Sequence, residues 1–410
     1  MHANARRPVN PFRVLLTHAN FRRFWIGQTL SLVGTWMQSM AMGWLALELS
    51  DSAFVVGLVA ASSALPILLF SLYAGVIVDR SDKLRIVRLA QGMLLVEAAL
   101  LWYFTWRGQI TVPGLIALAT LGGIITSFEI PARQSLMIDL VGREDLRDAI
   151  ALNSSGFNLA RILGPAIAAA IIARWGLAWC FGVNAVSYLT VLAGLALIKL
   201  PPKALVPPTE TPWEGMFTGV RHVTGDRRLR GLVETISVFA ILCTPTLALM
   251  PVMAREQLGL GASGYGVLLS AVGIGGLIGA LGLAASSARL RRGPLLVRSQ
   301  FVLAGLILLI SLSRVPSLSY VVLLATGCVL IVNSAVGNTI MQAIVPDEFR
   351  GRLMAIYSLI VVGLPQVVGA FAAGSVAGVI GISWTLALSA VLMAVYGRWA
   401  FRRYPEIRSL

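Results

Sequence analysis

Charge is what this chain has least of. Only 12% of its 410 residues are Asp, Glu, Lys or Arg, about half the ~25% of an ordinary soluble protein. With 57% of residues hydrophobic and a mean hydropathy of +0.82, a string of water-soluble domains is excluded. Histidine is scarce too. His2, His18 and His222 all lie outside the apolar runs, which excludes an intramembrane histidine relay or HExxH zinc site. Cys180, Cys243 and Cys328 stand singly, without the spacing of a disulfide framework or a CxxC metal motif, and read as small packing residues. No GxxxxGK[ST] loop is present to cradle nucleotide phosphates, which disfavours ATP-driven work by this chain alone. No metal and no cofactor are expected.

What is present is a series of apolar runs, each long enough to cross a bilayer at ~17–25 residues. They fall at 24–47, 55–78, 86–106, 110–129, 152–173, 177–199, 231–253, 264–288, 294–313, 318–340, 353–379 and 382–401. The expected fold is therefore all-α and integral to the membrane, with twelve crossing helices. The first run exceeds the ~7–15 residues of a signal-peptide core and is kept as a helix.

Placing the amino terminus in the cytoplasm puts 28 of the 33 Lys and Arg on that side and four on the other, with Arg161 inside a run. So lopsided a distribution sets both termini in the cytoplasm. The net charge of +15 is thereby topological, and no nucleic-acid partner is implied. The partners expected are the lipid bilayer, a small molecule and protons, with the protein acting as a monomer in a cell membrane, the inner membrane of a bacterium.

The longest gap, 200–230, splits the runs into two sets of six. A cytoplasmic segment 1–23 precedes a six-helix bundle over 24–199; a second bundle covers 231–401, and 402–410 is a tail. Pro201, Pro202, Pro207 and Pro208 open the gap and stop the helix before it. Within it Trp213, Phe217, Val220 and Val223 recur near helical spacing beside Arg221, Arg227, Arg228 and Arg230. This fits an amphipathic helix lying on an anionic membrane face, or a solvated linker with buried aromatics. At an offset of 204, Met137, Val141, Glu144, Ala151 and Ser154 match Met341, Val345, Glu348, Ala355 and Ser358, as two parallel repeats would.

Between the second and third runs the sequence reads Gly75-Val-Ile-Val-Asp79-Arg80-Ser-Asp82-Lys83-Leu-Arg85. A glycine there permits close helix contact, and an acid at the membrane edge needs a cation or a helix N-terminus. This segment resembles the signature G-x-x-x-D-R-x-G-R-[RK] of the major facilitator superfamily, with Gly75, Asp79 and Arg80 matching, Lys83 and Arg85 supplying the bases, and Asp82 in place of the loop glycine. The resemblance implies a gate on the inner side that locks and releases the two bundles. The corresponding loop of the second half, Gly279 to Arg292, lacks the Asp-Arg pair, so such a lock would be asymmetric.

Inside the spans, Glu97 is either a proton site or a neutral acid bonded to a neighbouring helix, because an ionised carboxylate is costly there. Arg161 stays charged and must find an anion or a wet cavity. Glu129 closes the fourth run, just ahead of Pro131 and Arg133, as a further coupling or ligand charge. In the fifth run Pro165 frees a backbone carbonyl and bends the helix, while Gly156 and Gly164 admit a close partner. Gly164-Pro165 resembles the core of the superfamily's fifth-helix exporter signature, with Ala168 and Ala169 where the family has paired glycines. An arginine inside the fourth run, found in many proton-coupled members, is absent. Phe21-Arg-Arg-Phe24-Trp25, the Pro131-Ala segment with a short amphipathic helix after it, and Asn153-Ser154 resemble the branch that holds the enterobactin exporter and macrolide efflux pumps. Gln28, Trp36, Gln38, Asn158, Asn333 and Gln366 are cavity candidates, though span amides equally serve as interhelical glue.

The reading is a secondary transporter that exports an amphipathic compound, a drug or a siderophore, in exchange for protons. The alternatives are an importer of the same fold, a membrane-embedded enzyme acting on lipid-linked substrates, and a non-transporting sensor.

Overall fold

The computed structural model describes residues 12–200, 221, 224–286, 291–345, 359 and 363–409, and within them all side chains but those of Leu72, Asp79, Arg408 and Ser409. After a short helix Phe12–Thr17 come α1 (Ala19–Ser50), α2 (Ala53–Asp79), α3 (Lys83–Trp106), α4 (Val112–Val141), α5 (Leu146–Trp175) and α6 (Ala178–Ala196). The second half holds α7 (Arg227–Ala248), α8 (Ala262–Ser286), α9 (Arg292–Leu312), α10 (Pro316–Ile344), α11 (Ala370–Ile380) and α12 (Ile382–Arg403). The described residues contain no strand. Nine of these helices are long and apolar enough to cross a membrane; α1, α3 and α11 are the exceptions. Polar residues dilute α1 and α3, among them Gln28 and Gln38, and Arg88, Gln91 and Glu97. α11 follows a π-helical turn, Pro365–Gly369, and residues 353–358 and 360–362 of the eleventh run lie outside the described residues. Of the gap at 200–230, the positions of the expected amphipathic helix, Trp213, Phe217, Val220 and Val223, lie outside the described residues, as do Glu348, Ala355 and Ser358 of the repeat.

Local chemistry sets where the helices begin. Asp82 caps α3 by accepting the Arg85 N–H at 3.1 Å, which gives a structural reason for an acid at the loop glycine of the signature. Asp226 does the same for α7, accepting from Arg228 and Leu229 at 2.7 and 3.3 Å. At the other end of a helix, Arg88 Nη2 donates to the carbonyls of Leu195 and Ile198 at 2.6 and 3.1 Å. A base that counts toward topology thus also satisfies the last carbonyls of α6.

Several helix ends differ from the sequence reading, and two neighbouring ones show the reason. α4 runs through Pro131 to Val141 instead of closing at 129, and α5 starts at Leu146 instead of 152. Apolar content marks only the stretch inside the bilayer, while helical hydrogen bonding continues past it wherever one face is buried. Ala132, Leu136, Met137 and Leu140 bury that face. The short amphipathic helix expected after Pro131 is therefore the last third of α4.

Within the first half α1 packs on α5 and α6, α2 on α4, and α3 on α4 and α6. The same pairs recur six helices later, α7 on α12, α8 on α10, and α9 on α10 and α12. The 204-residue offset reappears in the packing. Gly123 brings α4 against the Ser63 carbonyl of α2, and Gly327, 204 positions on, brings α10 against the Val272 carbonyl of α8. Gly275 and Gly279 complete the α8–α10 seam against the backbone at Leu324 and Cys328. Between helices in lipid such close backbone approach replaces the hydrophobic drive available in water.

The halves meet through two pairs related by the same symmetry, α2 with α11 and α5 with α8. These contacts gather at the end of the bundle opposite the termini. There Gly57 abuts Ala370 and Gly374, the rings of Phe54 and Phe371 meet at 5.7 Å, and Trp44 stacks on Tyr265 at 6.1 Å. One buried apolar cluster crosses between the halves at this end, taking in Met40, Leu47, Ala53, Met253, Leu268 and Ala373. Toward the termini the core separates in two. Phe21, Phe24, Leu136 and Leu195 belong to one cluster, and Leu232, Leu296, Met341 and Phe401 to another. The described molecule is joined at one end and parted at the other.

Candidate functional site

Midway along the first bundle three helices converge on one buried acid. Glu97 of α3, 1% exposed, accepts from the Gln38 amide of α1, whose Nε2 lies 2.9 Å from Oε2 and 3.2 Å from Oε1. The other end of the Gln38 amide, Oε1, accepts from Asn184 Nδ2 of α6 at 2.8 Å. Asn184 is itself fully buried and takes a hydrogen bond from Ser187 at 3.0 Å, with Thr35 and Tyr188 3.4 Å apart beside it. Glu97 has no ion pair among the described residues, so its partner is a neutral amide. An ionised carboxylate at the centre of a span costs about 2.5–3.5 kcal/mol on insertion scales, and a neutral donor offsets little of it.

Glu129 is placed differently. It accepts from Arg133 Nε one turn along α4 at 2.8 Å and from Gln91 of α3 at 3.2 Å. With a cation in place this buried carboxylate braces α3 to α4. Arg161 of α5 is the converse case, a cation with no hydrogen bond or ion pair among the described residues, its Nε buried and without a partner. Its Nη2 points at α8, 2.9 Å from where a Cβ on Gly276 would sit. Pro165, four residues on, lacks the N–H that the Arg161 carbonyl would accept. Gly156 and Gly164 pack on α1, Gly156 against Thr29 and Gly164 against Trp36 and the Val33 carbonyl.

The acid–base loop after α2 is only partly in view. Asp79 ends α2, and its side chain lies outside those described; Arg80 and Arg85 are exposed. Lys83 pairs with Asp139 of α4 at 3.6 Å, a tie within the first half. Among the described residues nothing lies within 4 Å of where a Cβ on Gly75 would sit. The α2 contacts with the second half lie 18 residues away at Gly57, at the joined end.

Of the cavity candidates, Gln38 and Asn333 spend their donors on neighbouring helices of their own halves, Asn333 bonding Ser299 of α9 at 2.9 Å. Asn158 donates along its own helix to the Ser154 carbonyl, and Trp36 lies edge-on to Phe157 at 5.6 Å. Gln28 is buried with its Oε1 unpartnered, and Gln366 is exposed. The sequence reading missed Asn184 and Tyr188, whose signal was an Asn-x-x-x-Tyr pair on one face of the sixth run. It also missed Arg255, one of only four bases left on the far side. Arg255 pairs there with Asp51 and donates to the Leu47 carbonyl at 3.3 Å, linking the halves. Being largely exposed, that pair is worth about 0–1 kcal/mol.

The geometry is two like helical bundles, with Glu97 and Glu129 buried inside the first and Arg161 where α5 meets α8, and sequence relatives supply the class, a membrane transporter. The chain belongs to the transmembrane secretion effector family of the major facilitator superfamily, which it matches over residues 8–407. It is 26% identical over 349 residues to the enterobactin exporter EntS of Shigella flexneri, covering 84% of this chain and 82% of that one. It is 27% identical over 263 residues to the staphyloferrin A transporter of Staphylococcus aureus, covering 63% and 65%. Its fold is similar to that of a bacterial homologue of the human lysosomal transporter Spinster, solved inward-facing and occupied, with a TM-score of 0.73 at 14% identity over 97% of this chain and 98% of that one. The nucleoside transporter NupG gives 0.73 at 10% identity over 94% and 99%. The protein is a multi-pass membrane transporter and not an enzyme.

Proposed function

We propose that the protein is a secondary active exporter that moves an amphipathic small molecule, a siderophore or a drug, out of the cytoplasm in exchange for protons. The observation that carries this reading is Glu97, a buried acid held by the neutral Gln38 amide at 2.9 and 3.2 Å with no cation paired to it among the described residues. A group so placed changes charge only by taking or losing a proton, and each change alters the electrostatic cost of the bundle around it. The direction is supported by the relative named as an exporter of enterobactin. In this reading twelve helices cross the bacterial inner membrane, and the distribution of Lys and Arg supports placing both termini in the cytoplasm. The parted end then faces the cytoplasm, and transport proceeds by rocking the two bundles about a midplane site as a monomer.

In this cycle Asp79 and Arg80 form the inner-side lock, with Gly75 and Arg85 beside them and Lys83 anchoring the loop to Asp139. Pro165, directly after Gly164 and nine residues after Gly156, gives α5 the bend about which it moves. Glu97 carries the proton, and Glu129 holds α3 against α4.

Energised inside-out vesicles offered a panel of siderophores and lipophilic drugs test this directly. Export appears as concentrative uptake into the vesicles, several-fold above vesicles lacking the protein. Uptake that appears only in right-side-out vesicles would make it an importer. Binding without flux in either orientation would make it a sensor.

A further inference from the structure

The unpaired guanidinium of Arg161 has a space to act on. Ala280, Leu283 and Ala284 continue, four, seven and eight residues on, the face of α8 that meets Arg161 at Gly276. With Ile331, Ala335 and Thr339 of α10 and Leu295 of α9 they line a cavity of about 250 Å³. Ile331 joins the two features. The position of a Cβ on Gly276 is 2.9 Å from Arg161 Nη2 and 3.0 Å from Ile331 Cγ1, so the guanidinium ends beside a wall of the cavity. The walls are mostly hydrocarbon, Arg161 lies behind Ile331 and not in the lining itself, and the charged side chain that does line the cavity is a second cation, Arg292, exposed at the end nearer the termini.

We propose that this cleft takes the apolar part of an organic anion whose carboxylate or phenolate pairs with Arg161. Resting on the export reading, the assignment names the charge class of the cargo. An arginine stays protonated in any protein environment, and one inside a span persists only with an anion or water to pair it. No side chain supplies that anion among the described residues. The planar guanidinium matches a carboxylate through two parallel N–H bonds. The volume is below the ~300–1,000 Å³ of a drug-sized site, so the cleft holds one apolar group of the cargo while the rest lies between the parted halves. Arg292 raises the local concentration of anions at the rim. A transported solute, not a lipid, is the occupant, because Arg161 sits where α5 packs on α8, between the halves.

The test uses purified full-length protein in nanodiscs of phosphatidylcholine and three probes of one shape. These are tritiated naphthalene-2-acetate, its neutral amide, and the cation 2-(2-naphthyl)ethylamine. The acetate is expected to bind at least tenfold more tightly than the other two. Arg161→Leu should remove that preference and Arg161→Lys keep part of it. Ala335→Phe, which fills the cleft and leaves the arginine, should weaken all three. Monodisperse elution and an unchanged melting temperature serve as the check on folding for each variant. Equal binding of the three probes, absence of acetate binding, or acetate binding indifferent to Arg161→Leu would overturn the proposal. So would loss of acetate binding on adding phosphatidylglycerol, which would assign the arginine to a lipid headgroup. Flux that proceeds without dependence on Arg161 sinks this inference alone; binding as expected with no flux sinks the export reading and leaves the anion site standing.

Discussion

Replacing Gly57 with valine is expected to cut transport at least tenfold while the protein still folds and inserts. A Cβ on Gly57 would lie 2.5 Å from the Ala370 carbonyl and 2.9 Å from the Gly374 Cα, and one on Gly374 would lie 2.9 Å from the Ala53 carbonyl. Ordinary contacts at such positions are 3.4–4 Å, so α2 and α11 must move apart by about 1 Å before any side chain fits. That seam joins the two halves and does not lie inside either one, so each bundle keeps its packing. What suffers is the conformation closed at this end, and with it the alternation. The shift is visible as a longer spin-label distance between Gln109→Cys and Ser317→Cys, two exposed positions at the joined end, on either side of the seam between the halves. Gly374→Leu should act alike. Wild-type flux in Gly57→Val with an unchanged label distance would mean the seam does not open in the cycle.

Glu97→Gln is expected to abolish transport driven by a proton gradient while exchange of substrate across the membrane continues. The amide has nearly the volume of the acid and can still bond Gln38, so the α1–α3–α6 link survives and stability changes by about 1 kcal/mol or less. The proton cannot be carried. The contrast is with Gln38→Leu, which leaves Glu97 and Asn184 without their shared partner and should cost about 1–3 kcal/mol per buried group left unsatisfied. Gradient-driven uptake in Glu97→Gln equal to wild type would remove Glu97 from the coupling path.

The fold was legible because the bilayer imposes two simple constraints, apolar length and the sidedness of Lys and Arg, and both are written residue by residue. Gly164-Pro165 and Gly75 to Arg85 added the family. Helix ends were less legible, because hydropathy records where lipid is, while α4 follows its buried face past Pro131 to Val141. The site divides in the same way. Glu97 and Arg161 stand out in sequence because charge in an apolar run is rare, yet only the geometry shows that Glu129 uses the Arg133 cation one turn away and that Arg161 has no ion pair among the described residues. Asn184 escaped notice since an amide in a span serves packing as often as chemistry, and only the geometry joins it through Gln38 to Glu97. The Gly57–Gly374 seam joins positions 317 residues apart, and only the packing of α2 on α11 brings them together.

The most direct measurement uses energised inside-out vesicles loaded with a pH dye, to which a substrate found by the uptake screen is added. The account expects the acidic lumen to turn more alkaline as substrate enters, in wild type and not in Glu97→Gln. Substrate accumulation with no proton leaving the lumen would contradict proton-coupled export.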